Sequence, residues 1–393
     1  MARQTGATAV LPALHAGWLE ALFEGPIPAE TRATCADCAM LAKPGDAAPD
    51  DGRLYFEPAM KCCSYVPELH NFLTGQILSD DDPALAAGRL TVEERIQGGV
   101  GVTPLSLEPP ADYALLYRHG AAAFGRSRAL RCPHYLEDGG RCGVWRYRES
   151  TCSTWYCKYV RGARGQAFWR DYVHPLLGTV ERSLALWCAL DLGFDLEALR
   201  PLLAAARSSE AEPLRAEQLD HRAEPGAQRR LWRNWLGREM EWYRACAERV
   251  RELPWTQVLA ICGPEARALA RLARLAYERL RDAQLPERLE PAAFELVNIA
   301  TDSVRTLSYS QLDPLELPVA VLHVLHYFHG RTARAAMAAI QERENIDLGE
   351  DLVLKLADFG LLQNPDAAAK AEGGFREFAG ASGDVPGTGT LAR

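Results

Sequence analysis

Residues 131–157, RCPHYLEDGGRCGVWRYRESTCSTWYC, place Cys132, Cys142, Cys152 and Cys157 within one short stretch of a 393-residue chain that has only 11 cysteines. Disulfides, packing thiols and metal ligands are the competing readings. A chain of this length buries cores large enough to fold without disulfide staples. Its composition, 48% apolar and 24% charged, is that of an ordinary soluble globular protein. The opening MARQTGATAVLPALHAGWLEALFEG has an apolar run broken by Pro12, followed by His15 and Glu20, and makes a poor signal peptide. No stretch approaches the roughly 18 apolar residues of a membrane span. The expectation is a cytoplasmic protein with no membrane segment, in a reducing compartment where clustered cysteines serve metal or redox chemistry.

Eight of the cysteines fall between residues 31 and 165. Beside the opening set stand Cys35-x2-Cys38 and the adjacent pair Cys62-Cys63. Zinc ribbons grip one ion with two close pairs, and only Cys35/Cys38 has that form. In an extended chain the neighbours Cys62 and Cys63 point to opposite faces and need not serve the same ion. From Arg118 to Arg170 there are eleven Lys and Arg against Glu137, Asp138 and Glu149, a net +8, while the whole chain is −8. Interleaved cations lower cysteine pKa values and stabilise the thiolates that bind metal. A surface for nucleic acid is the sharper use of such charge, but the arginines are mixed among the cysteines and form no separate stripe.

The run CPHYLEDGGRCGVWRYRESTCSTWYC resembles the closing half of the zinc- or iron-chelating cysteine-cluster family of the YkgJ type: Cys-Pro, an aromatic, an acidic-Gly turn, Gly-x-Cys, an Arg-containing stretch and Cys-x4-Cys. Eight cysteines is also that family's number, and the resemblance covers about residues 31 to 160. It departs at Arg148-Glu149, where the family has Arg-Pro, and in the 23 residues that separate Cys38 from Cys62. The implied ligands are Cys35, Cys38, Cys62, Cys63, Cys132, Cys142, Cys152 and Cys157. Flagellin lysine methylases carry a related cluster, which implies an iron–sulfur site.

All-thiolate coordination suits both zinc and a 4Fe–4S cluster. The wide, irregular spacing and the aromatics Trp145, Tyr147, Trp155, Tyr156 and Tyr159 favour the iron–sulfur cluster, with zinc as the alternative. His134, inside the set, is the spare ligand. Cys188, Cys246 and Cys262 sit singly in helical patterns and read as core residues. Other chemistry is thin. GGVGVTP (98–104) lacks the setting of a dinucleotide loop, and no Cys-x3-Cys-x2-Cys run is present. HVLHYFH spreads His323, His326 and His329 over about 120° of a helix, which reads as ordinary partly buried histidines. No catalytic residue is identified.

The expected fold is mainly α. Residues 1–30 carry one amphipathic helix (Leu14, Trp18, Leu22), and 31–165 form an irregular cysteine-rich metal-binding domain whose helix is begun by the capping box TVEE at Thr91. A helical region, 166–301, has one stripe of Leu269, Leu272, Ala276 and Leu280 and another of Trp232, Trp235, Trp242 and Cys246. Within it RSSEAEPLRAEQLDHRAEPGAQRR reads as an exposed linker. Residues 315–363 form a small winged-helix-like unit of three helices and a terminal apolar strand from Leu361, with turns at Gly330-Arg331 and 347–349. It resembles PqqD-like modules that hold leader peptides. The tail 366–393 is expected to be disordered. From Gly330 to Gln363 four basic face six acidic residues, and the third helix carries Glu350, Asp351 and Asp358 against Lys355. That charge fits a protein or peptide partner and opposes DNA. Three functions emerge: a redox or accessory metal protein of a protein- or peptide-modification system, a protein N-methylase-like enzyme, and a metal-sensing transcription regulator. A recognisable methyl-donor site is missing for the second, and the acidic helix weighs against the third.

Overall fold

The computed structural model describes residues 11–33, 35, 37–43, 54–208 and 225–365, and among them helix dominates. The chain divides into two compact units that interleave along the sequence: Met1–Ala29, Phe56–Trp155 and Tyr172–Arg274 in the first, Glu30–Tyr55, Tyr156–Asp171 and Leu275–Arg393 in the second. The segments 31–165 and 166–301 expected from composition each contribute to both units. The middle of the expected linker, 209–224, and the tail 366–393 lie outside the described residues.

In the first unit, α1 (Ala13–Phe23) is the amphipathic helix read from Trp18 and Leu22, both buried. Then come α2 (Asn71–Ser79), α3 (Ala86–Gln97), α4 (Ala111–Gly120) and the one-turn α5 (Ser150–Thr154). The expected helix start at Thr91 is overturned. Pro83 and the cap Asp82, which accepts the Ala84 N–H, set a tight turn that flows into α3 from Ala86. Thr91 lies inside α3, its hydroxyl turned back to the Gly88 carbonyl.

Farther along, α7 (His174–Asp191) buries Leu176, Leu177, Val180, Leu184 and Cys188 along one face. After α8 (Leu196–Ser208) and α9 (Pro225–Trp232) comes α10 (Glu239–Val250), so the expected tryptophan stripe is split: Trp232 ends α9, the half-buried Trp235 lies in a 3-10 turn, and Trp242 and Cys246 lie on α10, with Trp232, Trp242 and Cys246 fully buried. α2 runs so close to α10 that a Cβ on Gly75 would meet the Tyr243 carbonyl oxygen at 1.8 Å. Two-residue strands β1 (Leu69–His70) and β2 (Ser106–Leu107) pair. In the hairpin of β3 (Tyr135–Leu136) and β4 (Arg141–Cys142), Tyr135 lies opposite Cys142. Its EDGG turn needs glycine, because Gly139 and Gly140 have φ of 74° and 55°. α11 (Trp255–Arg281) is broken at Gly263, φ 79°, before Pro264. Its buried stripe is Ala266, Ala270, Ala273, Ala276, Tyr277 and Leu280, and Leu272, expected on that stripe, is exposed.

The second unit contains α6 (Gly162–Ala167) and short strands where the sequence predicted helix to about Thr301. β6 (Glu295–Ile299), β7 (Ser303–Leu307) and β8 (Leu315–Pro318) form an antiparallel sheet in that order. The correction has a local cause: ELVNI and SVRTL alternate β-branched with polar residues, a period of two and not 3.6. The three helices read from the C-terminal pattern are α12 (Val319–Val324), prolonged by a 3-10 turn to Phe328, α13 (Ala333–Glu344) and α14 (Glu350–Asp358). Thr332 caps α13 by accepting the Ala335 N–H, and Asn345 closes it in the left-handed conformation. The terminal strand β9 (Leu362–Gln363) pairs with β5 (Glu290–Pro291), and Leu361 and Leu362 are buried.

Candidate metal centre

All eleven cysteines are thiols. Five of the eight candidate ligands, Cys62, Cys63, Cys132, Cys142 and Cys152, belong to the first unit, and Cys35, Cys38 and Cys157 to the second. In the first unit the Cys132 N–H donates to the Cys63 carbonyl at 2.8 Å, joining the two loops. Val66, Tyr113, Leu130 and Cys132 make a small apolar cluster, with Cys63 and Tyr117 packed on it. Cys62 and Cys63 are not on opposite faces as an extended chain would place them. Lys61 is left-handed, φ 51°, and the Cys63 N–H donates to the Met60 carbonyl, so the segment is a turn and the two thiols hydrogen-bond each other.

These thiols lie within reach of one another's charge. The bond from Cys62 lowers the pKa of Cys63, but burial and the charges of Cys142, Cys132 and Cys152 together raise it. Burial, then Cys142, pushes Cys132 up to about 12, with Arg95 opposing. Burial and the charges of Glu149, Cys132 and Cys142 hold Cys152 well above the usual thiol range. Among the described residues, no group of three or more His, Cys, Asp or Glu side chains is placed to hold a metal ion.

The cations nearest the thiols are buried. Arg148 donates to the Trp145 and Cys152 carbonyls at 3.1 and 3.0 Å, its guanidinium 3.5 Å from the Trp145 ring centroid. Arg95, from α3, is 7% exposed. It meets the Glu108 carbonyl at 2.6 Å and the Nε2 of His134 at 3.1 Å, its Nε has no hydrogen-bond partner, and no carboxylate among the described residues counts among the groups that act on its charge. Cys132, if ionised, is the first group whose charge would act on it. A buried cation without a counter-ion is costly. A metal held by thiolates would carry net negative charge there, which Arg95 would offset. In chemistry, though not in a ready-made arrangement, these thiols are the donors that a thiophilic metal or cluster takes.

His134 is not the spare ligand. The Thr91 hydroxyl donates to Gly88 and so accepts from Nδ1–H of His134, at 2.7 Å, which leaves Nε2 to accept from Arg95. Burial, with help from Arg95, lowers its pKa to about 3, so the ring is a neutral link between α3 and the hairpin. A Cβ on Gly88 would meet the Gly143 carbonyl at 1.8 Å, which shows how closely α3 lies against that hairpin.

Cys152 is placed by a second network. Glu149 caps α5, accepting the N–H groups of Thr151 and Cys152. Burial and then the charge of Glu181 push Glu149 up to about 7. Glu181 accepts the Ser150 N–H at 3.1 Å and meets His15 Nε2 at 2.8 Å, while His15 Nδ1 meets the Ser153 hydroxyl at 3.1 Å. The order Ser–His–Glu is that of a hydrolytic triad, but all three residues are 0% exposed, so no substrate reaches them. They anchor α5 to α1 and α7. Residues 138 and 166 apart in sequence meet here, and no short-range spacing announces it.

The aromatic shell differs from the expected one. Tyr65, Tyr113 and Tyr117 stand around the first-unit thiols, with ring centroids 5.7 and 5.9 Å apart in successive pairs. Of those expected, Trp155 packs on Phe124, Tyr147 donates to Asp80, and Tyr156 packs on Tyr159 and Trp169 in the second unit. Cys188 and Cys246 are core residues and Cys262 is half-buried on Val180. The His323, His326 and His329 rings do not converge: His326 turns to the His323 carbonyl and His329 to Glu290.

The chain matches no protein-family model, no curated protein and no solved structure. No helix among the described residues is long and apolar enough to cross a membrane.

Proposed function

We propose that this chain is a cytoplasmic metal-binding protein whose first unit holds a 4Fe–4S cluster, acting as a redox or accessory component of a protein- or peptide-modification system. One observation carries the reading. Arg95 is a buried guanidinium with no carboxylate partner among the described residues, and Cys132 is the ionisable group that acts on it most, so a thiolate-bound cluster would be the counter-charge that makes such burial tolerable. Cys132, Cys142 and Cys152, with Cys62 or Cys63, would hold the cluster. When bound, the cluster supplies one-electron transfer. The chain's own residues do the rest: Tyr65, Tyr113 and Tyr117 exclude water, Arg95 and Arg148 offset thiolate charge, and the Glu149 cap with the His15–Glu181 pair fixes the backbone of Cys152.

A polypeptide partner is assigned to the second unit. The helix-plus-strand order from Val319 to Gln363 fits a winged-helix-like module, but its terminal strand is buried and paired. The edge strand β6 is the better dock, because Leu296 and Ile299 are 48% and 69% exposed on it and an edge strand accepts a peptide backbone. The acidic α14 argues against duplex DNA, whose phosphates dominate affinity.

Protein purified without oxygen is expected to be brown, with iron and acid-labile sulfide, and Cys152→Ser to lose the colour. Stoichiometric zinc without sulfide would replace the cluster by the zinc reading.

A further inference from the structure

We infer that β6 takes an extended, basic segment of a partner protein as a further strand: apolar side chains of the segment lie on Leu296 and Ile299, and Lys or Arg near its two ends meets Glu295 and Asp302. This rests on the reading of the second unit as the one that binds a polypeptide, and adds which polypeptide it selects.

A bulge places the two apolar side chains. Along a regular strand, residues three apart point to opposite faces. In β6 the register shifts between Leu296 and Asn298, with Val297 as the extra residue, so that Leu296 stands opposite Thr306 and Ile299 opposite Val304. Val304 and Thr306 share one face of β7 and are buried, as are their neighbours on β8, Leu317 and Leu315. Leu296 and Ile299 therefore stand on the face that the sheet turns to its core, and both are exposed there. The core face runs out uncovered at this edge.

The two edges of the sheet are built differently. β8 has Pro314 just before it and Pro318 at its end, and proline cannot donate to an added strand. From Phe294 to Ser303 there is no Pro, Lys or Arg, the residues that ordinarily keep an edge from pairing. Backbone pairing on such an edge gives affinity, and side chains give selectivity. Here the selecting charge is acidic. Glu295 and Asp302, both exposed, bracket the strand. The cation of the sheet, Arg305, is 8% exposed and meets Glu316 at 3.6 Å. From Leu275 to Pro365 there are eight Lys and Arg against fourteen Asp and Glu, a net −6. A basic segment is steered to this surface and an acidic one is repelled. The same charge opposes a second copy of the chain as the added strand, because its own β6 would bring Glu295 and Asp302 with it.

The test is fluorescence anisotropy of the full chain with short labelled peptides of alternating Val and Thr: one with Lys at both ends, one with Glu there, and one with Lys ends and N-methylated amides between them. The Lys peptide is expected to bind saturably, more weakly as salt rises, and about tenfold tighter than either of the others. Leu296→Ser with Ile299→Ser, confined to exposed side chains, should weaken it by about tenfold. Glu295→Lys with Asp302→Lys should reverse the order of the Lys and Glu peptides. Equal binding of those two, both lost on N-methylation, overturns the basic selectivity and leaves docking at the edge standing. Binding of the Lys peptide indifferent to N-methylation or to the double Ser variant overturns β6 as the site. If no peptide binds, this inference and the polypeptide reading of the second unit fall together. A chain that sediments as a dimer until Ile299→Ser splits it gives the edge to a second copy and overturns the basic partner.

Discussion

Between Leu289 and Leu362, eighteen buried apolar residues form one continuous cluster, enough to hold three helices and their strands without help. Around the cysteines of the first unit the apolar cluster is small among the described residues, Val66, Tyr113, Leu130 and Cys132 with Cys63 and Tyr117 at the margin, and Arg95, His134, Arg148 and Glu149 are buried beside Met60, Tyr135 and Val144. A region that gives part of its interior to charge and thiols has a weaker folding drive of its own. Its missing stabilisation is what a bound metal would provide.

The largest expected effect follows directly. Stripping metal with a chelator under reducing, anaerobic conditions should free the amides of residues 60–66 and 130–155 to exchange with deuterium, while Phe328, Ile340 and Leu356 stay protected. Thiolate-bound structural ions contribute on the order of 10 kcal/mol, so the contrast should be large. Equal protection of both regions after complete removal would erase the distinction.

The converse perturbation is Phe328→Ala. Phe328 is fully buried in the C-terminal cluster, and its truncation should cost about 3–5 kcal/mol, the same with and without metal. A metal-dependent cost would show that the cluster is not self-sufficient.

Arg95→Met gives a smaller effect whose sign depends on the metal. In stripped protein, removal of an uncompensated buried charge should be neutral or stabilising by about 1–3 kcal/mol; in loaded protein it should destabilise by a similar amount and weaken metal retention. Denaturant midpoints measured in both states test this. Destabilisation of equal size in both would make Arg95 a packing residue held by His134 and the Glu108 carbonyl.

The same contrast explains what the sequence conveyed. The C-terminal helices were legible because their apolar residues repeat within one segment, and Thr332 and Asn345 punctuate α13 at its ends. The candidate ligands were legible as a population, because cysteine is rare and clustered. Their distribution was not: Cys157 follows Cys152 by five residues yet falls in the other unit, a result of long-range bonds such as Arg32–Asp313, 281 residues apart. Thr91 read as the start of a helix and Arg95 carried no signal at all; the packing of Gly88 on Gly143 reveals that this face of α3 is buried. His15 with Glu181 was equally silent, since neither residue has a local partner to signal it.

The smallest effect tests whether the first unit holds strained charge away from the thiols too. Burial and then the charge of Glu68 raise the pKa of Glu108 from 4.5 to about 7. The sign is that of a raised acid. Below pH 4.5 the carboxyl is protonated in both folded and unfolded chains and contributes nothing. Between 4.5 and 7 the folded chain keeps a proton that the unfolded chain has released, so stability falls as pH rises, and the loss is complete above 7. A shift of this size corresponds to about 3 kcal/mol at most, and because Glu108 is only half-buried, solvent screening reduces it to roughly 1–2 kcal/mol. Glu108→Gln should therefore stabilise the first unit by that amount at pH 8, do nothing at pH 4, and leave the melting of the C-terminal cluster unchanged at both. Urea midpoints followed by hydrogen exchange in each unit read this out. A variant equally stabilising at pH 4 would mean that the amide packs better than the acid, and the charge argument for this position would fall.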